Sequence, residues 1–149
     1  MAAPGIDWKW IRRDEFEQKE KDFKKNQVDR QQTIAEIIIK GVSQYHGIVA
    51  DNIKIATRKR QIVKIRMQAI SLIDKYTNMS LCDIGKQFDG KDHATVLHSK
   101  RTVSNDYETD KQYKFQFDEI EKYVCELLIS EKLEQFTKIK LVKVNFNND

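Results

Sequence analysis

An all-α fold is predicted by three observations. Apolar residues recur at three- and four-residue intervals along most of the chain, only one Pro and five Gly interrupt it, and 34% of its residues are charged. So few breakers leave little room for the many turns of a sandwich or barrel. A length of 149 residues suits one modest domain with attachments and is short for a nucleotide-hydrolysing motor combined with a second domain.

Residues 1–32 read as a charged N-terminal arm with few apolar anchors, where any helix would be solvated and held by something else. Its Trp8 and Trp10 either pack back onto the domain or mark a partner contact. Thr33-Ile-Ala-Glu36 has the form of a capping box, so the first helix is expected to open there. Ile34, Ile37, Ile38, Val42 and Tyr45 then form its apolar face, and Gly47 stops the pattern. After Ala56-Thr-Arg-Lys-Arg60, a second long helix is marked by Ile62, Ile65, Ala69, Leu72, Ile73 and Tyr76, with Asn78 able to end it.

Ser80-Leu-Cys-Asp83 offers a capped start to a short helix carrying Leu81, Ile84 and Phe88 on one stripe. Gly90 suits the positive φ of a tight turn, and Asp92 is a good N-cap for a third long helix. That helix has a narrow apolar side of Val96, Leu97, Val103 and Tyr107. Its His93, Ala94, Thr95, His98, Ser99, Lys100 and Arg101 are left for the front and sides. A short helix, a Gly turn and a polar-fronted helix make a helix-turn-helix. Residues 33–107 are therefore expected to form the folded domain.

Residues 108–132 form an amphipathic C-terminal helix through Tyr113, Phe117, Ile120, Val124, Leu127 and Leu128. The pattern fits packing on the domain and pairing with a second copy equally well. The tail, residues 133–149, alternates Lys with Ile, Leu and Val from Thr137 to Phe146, which fits an edge strand or disorder.

Charge is unevenly placed: residues 1–32 carry a net +1, residues 33–107 a net +5 and residues 108–149 a net −2. Lys54, Arg58, Lys59, Arg60, Lys64 and Arg66 form a run with no acidic residue between Asp51 and Asp74. A solvated helix face is the ordinary explanation of such a run, but without interleaved acids it resembles a surface built to meet phosphates. The helix opening at Asp92 adds directional chemistry. Asp92 can accept from a cytosine amine, His93 can bond a purine edge or thymine oxygen, and Ala94 and the Thr95 methyl can pack on a thymine methyl. His98, Ser99, Lys100 and Arg101 are better placed for phosphates. Taken singly, Asp92 is equally well a pure N-cap and the histidines plain surface residues.

Other chemistries are disfavoured. Gly85-Lys-Gln-Phe-Asp-Gly90-Lys91-Asp92 imitates a phosphate-binding loop but ends in Asp where Ser or Thr should hold magnesium, and it follows a helix rather than a strand. His46, His93 and His98 lack metal-ligand spacing, and no nucleophile-base order is present, so no enzyme, metal or cofactor is expected. Cys82 and Cys125 lie far apart, which suits a reducing compartment. With no apolar run of membrane-spanning length and no secretory start, a cytoplasmic, nucleoid-associated location is expected.

Residues 33–107 resemble the C-terminal DNA-binding domain of the bacterial chromosomal replication initiator DnaA. Gly90-Lys-Asp-His-Ala-Thr-Val-Leu-His98 is similar to that family's G-[RK]-D-H-T-T-V-L-H signature. Arg58-Lys-Arg60, Arg66-Met-Gln68, Thr77-Asn78, Ser80-Leu81, and Ile84-Gly85 with Phe88 agree in register, covering about half of the chain. The resemblance implies an all-α helix-turn-helix bundle of the DnaA C-terminal, Trp-repressor-like type, here with an extra C-terminal helix.

It also implies roles: Arg58 in the minor groove beside Lys59 and Arg60 of the basic loop, and Arg66, Asp92, His93, Ala94 and Thr95 facing bases in the major groove. Lys64, His98 and Lys100 or Arg101 would hold phosphates. Ala94 replaces the family's usual Thr, removing a hydroxyl at one base-facing position, and Cys82 replaces a frequent Pro. The family's ATPase module has no counterpart in these residues, so origin melting by this chain alone is not expected. The implied function is sequence-specific binding of double-stranded DNA at a DnaA-box-like site, in replication initiation or its regulation. A replication or regulatory protein would be met through the arm or the C-terminal helix. The alternative is a dimeric helix-turn-helix transcriptional regulator paired through residues 113–128. A module meeting an acidic protein ranks below both.

Overall fold

The computed structural model describes residues 13–131 together with Leu133 and Thr137. These form six helices: α1 (Arg13–Tyr45), α2 (Ala50–Lys54), α3 (Arg60–Tyr76), α4 (Leu81–Lys86), α5 (His93–Thr109) and α6 (Lys111–Ser130). The all-α expectation holds. Trp8, Trp10 and the Lys-rich tail beyond Thr137 lie outside the described residues.

The first helix begins twenty residues earlier than the capping box at Thr33 suggested. Thr33 sits inside α1, where its hydroxyl donates to the Asp29 carbonyl at 2.8 Å instead of capping a free end. The reason is local. Neither Gly nor Pro occurs between Arg13 and Lys40, and Asp14 and Glu15 suit the positive end of the helix dipole. Arg13 with Glu17, Glu20 with Lys24, and Gln18 with Asp22 bridge successive turns. Only the second half of α1 joins the core, through Ile34, Ala35, Ile38, Ile39 and Val42.

Gly47, at φ +70°, turns the chain into α2, whose buried Ile53 plugs the domain between α1 and α3. The third helix contributes the centre of the core with Ile65, Ala69, Ile70, Leu72 and Ile73. It ends at Tyr76, not Asn78: Thr77 is extended, its N–H and hydroxyl both donating to the Ile73 carbonyl at 2.9 and 2.6 Å. Asn78 lies outside, its N–H donating to Gln31 Oε1 of α1 at 2.8 Å.

The last helix packs on the domain. Phe117, Ile120, Val124 and Leu128 are buried, and Gly41 of α1 lets the two helices approach closely: a Cβ there would stand 3.0 Å from the side chains of Val124 and Leu127. A polar cluster fixes α6 to α3. Tyr76 donates its hydroxyl to Glu121, Lys75 pairs with the same carboxylate, and the Cys125 thiol reaches the Tyr76 oxygen at 3.3 Å. Burial, reinforced by these bonds, pushes the Tyr76 phenol far above its ordinary range, so it stays a proton donor to Glu121.

Candidate nucleic-acid interface

The turn between α4 and α5 sets the geometry. Ser80 caps α4, accepting the Asp83 N–H at 3.1 Å, as its position suggested. At the other end, the Gly85 carbonyl accepts N–H bonds from Phe88 and Lys91, each at 3.0 Å. The returning chain presses so close that a Cβ on Gly85 would lie 1.9 Å from the Lys91 carbonyl oxygen. Two consecutive left-handed residues, Asp89 at φ +59° and Gly90 at φ +69°, reverse the chain. Gly90 was legible in the sequence; Asp89 and the contact at Gly85 were not. The stretch that imitates a phosphate loop is thus the end of α4 and its turn.

Asp92 then caps α5, Oδ1 accepting the Thr95 N–H at 2.8 Å. Hydrogen bonding from Thr95 holds the carboxyl below its usual range, so it is ionised at neutral pH. Anchored by buried Val96, the first turn leaves Asp92, His93, Ala94 and Thr95 exposed together. Further along, Ala94, His98 and Arg101 share one exposed face at helical spacing. Two expectations change here. Ser99 is buried, donating to the Thr95 carbonyl at 2.9 Å, and is withdrawn from the polar front. Lys100 pairs with Asp74 at 2.9 Å, tying α5 to α3, so of the two alternatives Arg101 is the open cation.

The basic run occupies the loop after α2 and the first turns of α3. Arg58, Lys59, Arg60 and Lys64 are all exposed. No side chain caps α3 at Lys59 and no acid stands in its first turn, so cations crowd a helix end that is already positive. That arrangement is unfavourable until an anion arrives.

Arg66 does not join them. It is 5% exposed, with Nε donating to the Ile53 carbonyl at 2.7 Å and Nη2 to the Ile55 carbonyl at 2.5 Å. Burial lowers its pKa from the ordinary value, and the nearby charge of Asp89 opposes that shift. Expected to face a base, it stands here as an internal post between the basic loop and the α4–α5 turn. Nothing in a Lys/Arg count distinguishes such a residue. Its position one turn beyond Ile62 on the apolar side of α3, beside Ile65, is the only hint.

Residues 35–103 match the family model described as the bacterial dnaA protein helix-turn-helix. These residues are a DnaA-type helix-turn-helix domain. The chain is 43% identical over 100 residues to the chromosomal replication initiator protein DnaA of Flavobacterium psychrophilum, covering 67% of this chain and 20% of that relative. The corresponding protein of Bacteroides thetaiotaomicron is 40% identical over 84 residues, 56% of this chain and 18% of the relative. The chain thus spans about a fifth of the length of these curated relatives. The DnaA-type match takes in the last third of α1 through most of α5 and leaves α6 outside. Among the described residues no group of three or more His, Cys, Asp or Glu could hold a metal ion, and no helix is long and apolar enough to cross a membrane.

Proposed function

We propose that the DnaA-type domain binds double-stranded DNA sequence-specifically, at a site of the DnaA-box kind, in replication initiation or its regulation. The observation that carries this reading is the first turn of α5: Asp92, His93, Ala94 and Thr95 stand exposed together on a capped, buttressed helix start. Short side chains at a helix N-terminus suit base edges in a major groove, which admits one helix. Arg58, Lys59, Arg60, Lys64, His98 and Arg101 supply the surrounding charge for the backbone, with Arg58 on the loop best placed to leave the helical surface for the minor groove. Arg66 and Lys100 act in this scheme by holding the loop and α5 in place. Ala94 offers only a methyl, so discrimination at its base rests on contact with a thymine methyl.

A titration of the full chain against labelled duplexes tests the reading. Affinity for box-containing DNA should fall steeply with salt, and His93→Ala should erode the preference over scrambled duplex by about tenfold or more. Arg58→Ala should weaken binding and flatten the salt slope by about one. Equal affinity for box and scrambled duplex at moderate salt would overturn the sequence-specific claim.

The dimeric regulator loses its proposed interface. Phe117, Ile120, Val124 and Leu128 pack inward on α1 and α5, so a second copy could meet residues 113–128 only on the opposite side of the helix, where Phe115 is exposed. A monomer on one asymmetric site is the arrangement we favour, because the apolar face expected to pair is covered.

A further inference from the structure

A groove of about 1100 Å³ separates the projecting half of α1 from the α2 end and the α3–α4 connection. Its lining is unlike a protein-docking cleft. Lys24, Arg30, Lys54 and Lys86 bring positive charge against a single acid, Asp83, and the remaining lining is mostly Gln and Asn amides, with two apolar side chains. Glu20–Lys24 and Asp83–Lys86, two ion pairs that touch it, are exposed at 3.3 and 3.6 Å, the kind of surface pair that contributes little.

The position of the groove is as telling as its charge. Lys54 is the last residue of α2, just before the basic loop, and Lys86 leads directly into the turn before α5. The groove therefore begins where the candidate interface ends. In a helix-turn-helix the first helix crosses the DNA backbone while the second enters the major groove. Here that first helix is α4, and the groove runs along it. Between Gln31, bonded to the Asn78 N–H, and Lys24, α1 extends about 10 Å farther, the length of about three base pairs.

We infer that this groove cradles the phosphate backbone of duplex DNA flanking the recognised site on the α4 side, with Lys24 and Arg30 of α1 reaching past the helix-turn-helix. The inference rests on the DNA-binding reading above and extends it to a surface outside the reading helix and basic loop. It makes the footprint asymmetric: one flank is held, the other is not. Amides with lysines suit phosphate and sugar oxygens of any sequence, so the flank contributes affinity without specificity.

The test uses the full chain, and Lys24→Glu and Lys24→Glu/Arg30→Glu variants whose helicity and melting match the parent. Each is titrated against three duplexes: one trimmed to the selected site, and two extended by about one helical turn at one end or the other. The double variant should bind the trimmed duplex within about twofold of the parent, yet lose about tenfold on one extended duplex only, with a shallower salt dependence there. Equal losses on all three duplexes, or none on any, would overturn the flank contact. The first outcome is general electrostatics; the second leaves the groove to an acidic protein. If the parent shows no preference for the selected site on the trimmed duplex, the DNA reading itself fails, which is a separate result.

Discussion

Asp92 carries two demands at once. One carboxylate oxygen closes the start of α5 on the Thr95 N–H, and the exposed group also stands at the front of the proposed reading surface. Because Thr95 bonds lower its pKa, its contribution to the helix start is complete above the ordinary Asp value and is lost as pH falls through the depressed one. The Thr95 amide resonance should therefore titrate with a midpoint below the ordinary Asp value and stay constant through neutrality. A midpoint above that value would mean that Asp92 does not cap the helix. Gly85 makes an opposite demand, for nothing at all. With the Lys91 carbonyl oxygen 1.9 Å from any Cβ, Gly85→Ala should destabilise the domain by about 3 kcal/mol in urea unfolding, whereas Gly90→Asn, at a left-handed position with open space, should be far milder.

Between elements, Arg66 and the α6 contacts decide what stays rigid. Arg66 fastens the Ile53 and Ile55 carbonyls, so Arg66→Met should loosen the basic loop, raising amide exchange there and lowering DNA affinity while leaving the salt slope unchanged. A direct phosphate contact would instead flatten that slope by about one. For α6, Leu128→Ala should cost about 2–5 kcal/mol, because the side chain is fully buried against the domain. These elements also show how far a sequence carries. The stripes of α3, α4 and α6 were legible because each recurs at helical spacing, and around α4 and α5 the caps Ser80 and Asp92 and the breaker Gly90 fix where helices start and turn. The start of α1 was not: Thr33-Ile-Ala-Glu36 has the chemistry of a cap, but a cap works only where the preceding residues leave the helix, and nothing before Thr33 forces that. The partners of Arg66 and Lys100 were not legible for a related reason. A cation's partners, here two backbone carbonyls and Asp74, are brought close by packing, and spacing along the chain does not report them.

At the scale of the molecule, one small core holds three surfaces in fixed relation: the basic loop before α3, the polar front of α5 and the basic groove under α1. The core buries α6 as its last layer, so the amphipathic face of that helix is already covered and is not open to a second copy. Selection of bound sites from a random duplex library tests the central claim most directly. The predicted result is enrichment of a single asymmetric motif of the DnaA-box kind, relaxed or altered at the base facing Ala94, and bound by one copy of the chain. Recovery of no motif, or of an inverted repeat bound by two copies, would contradict it.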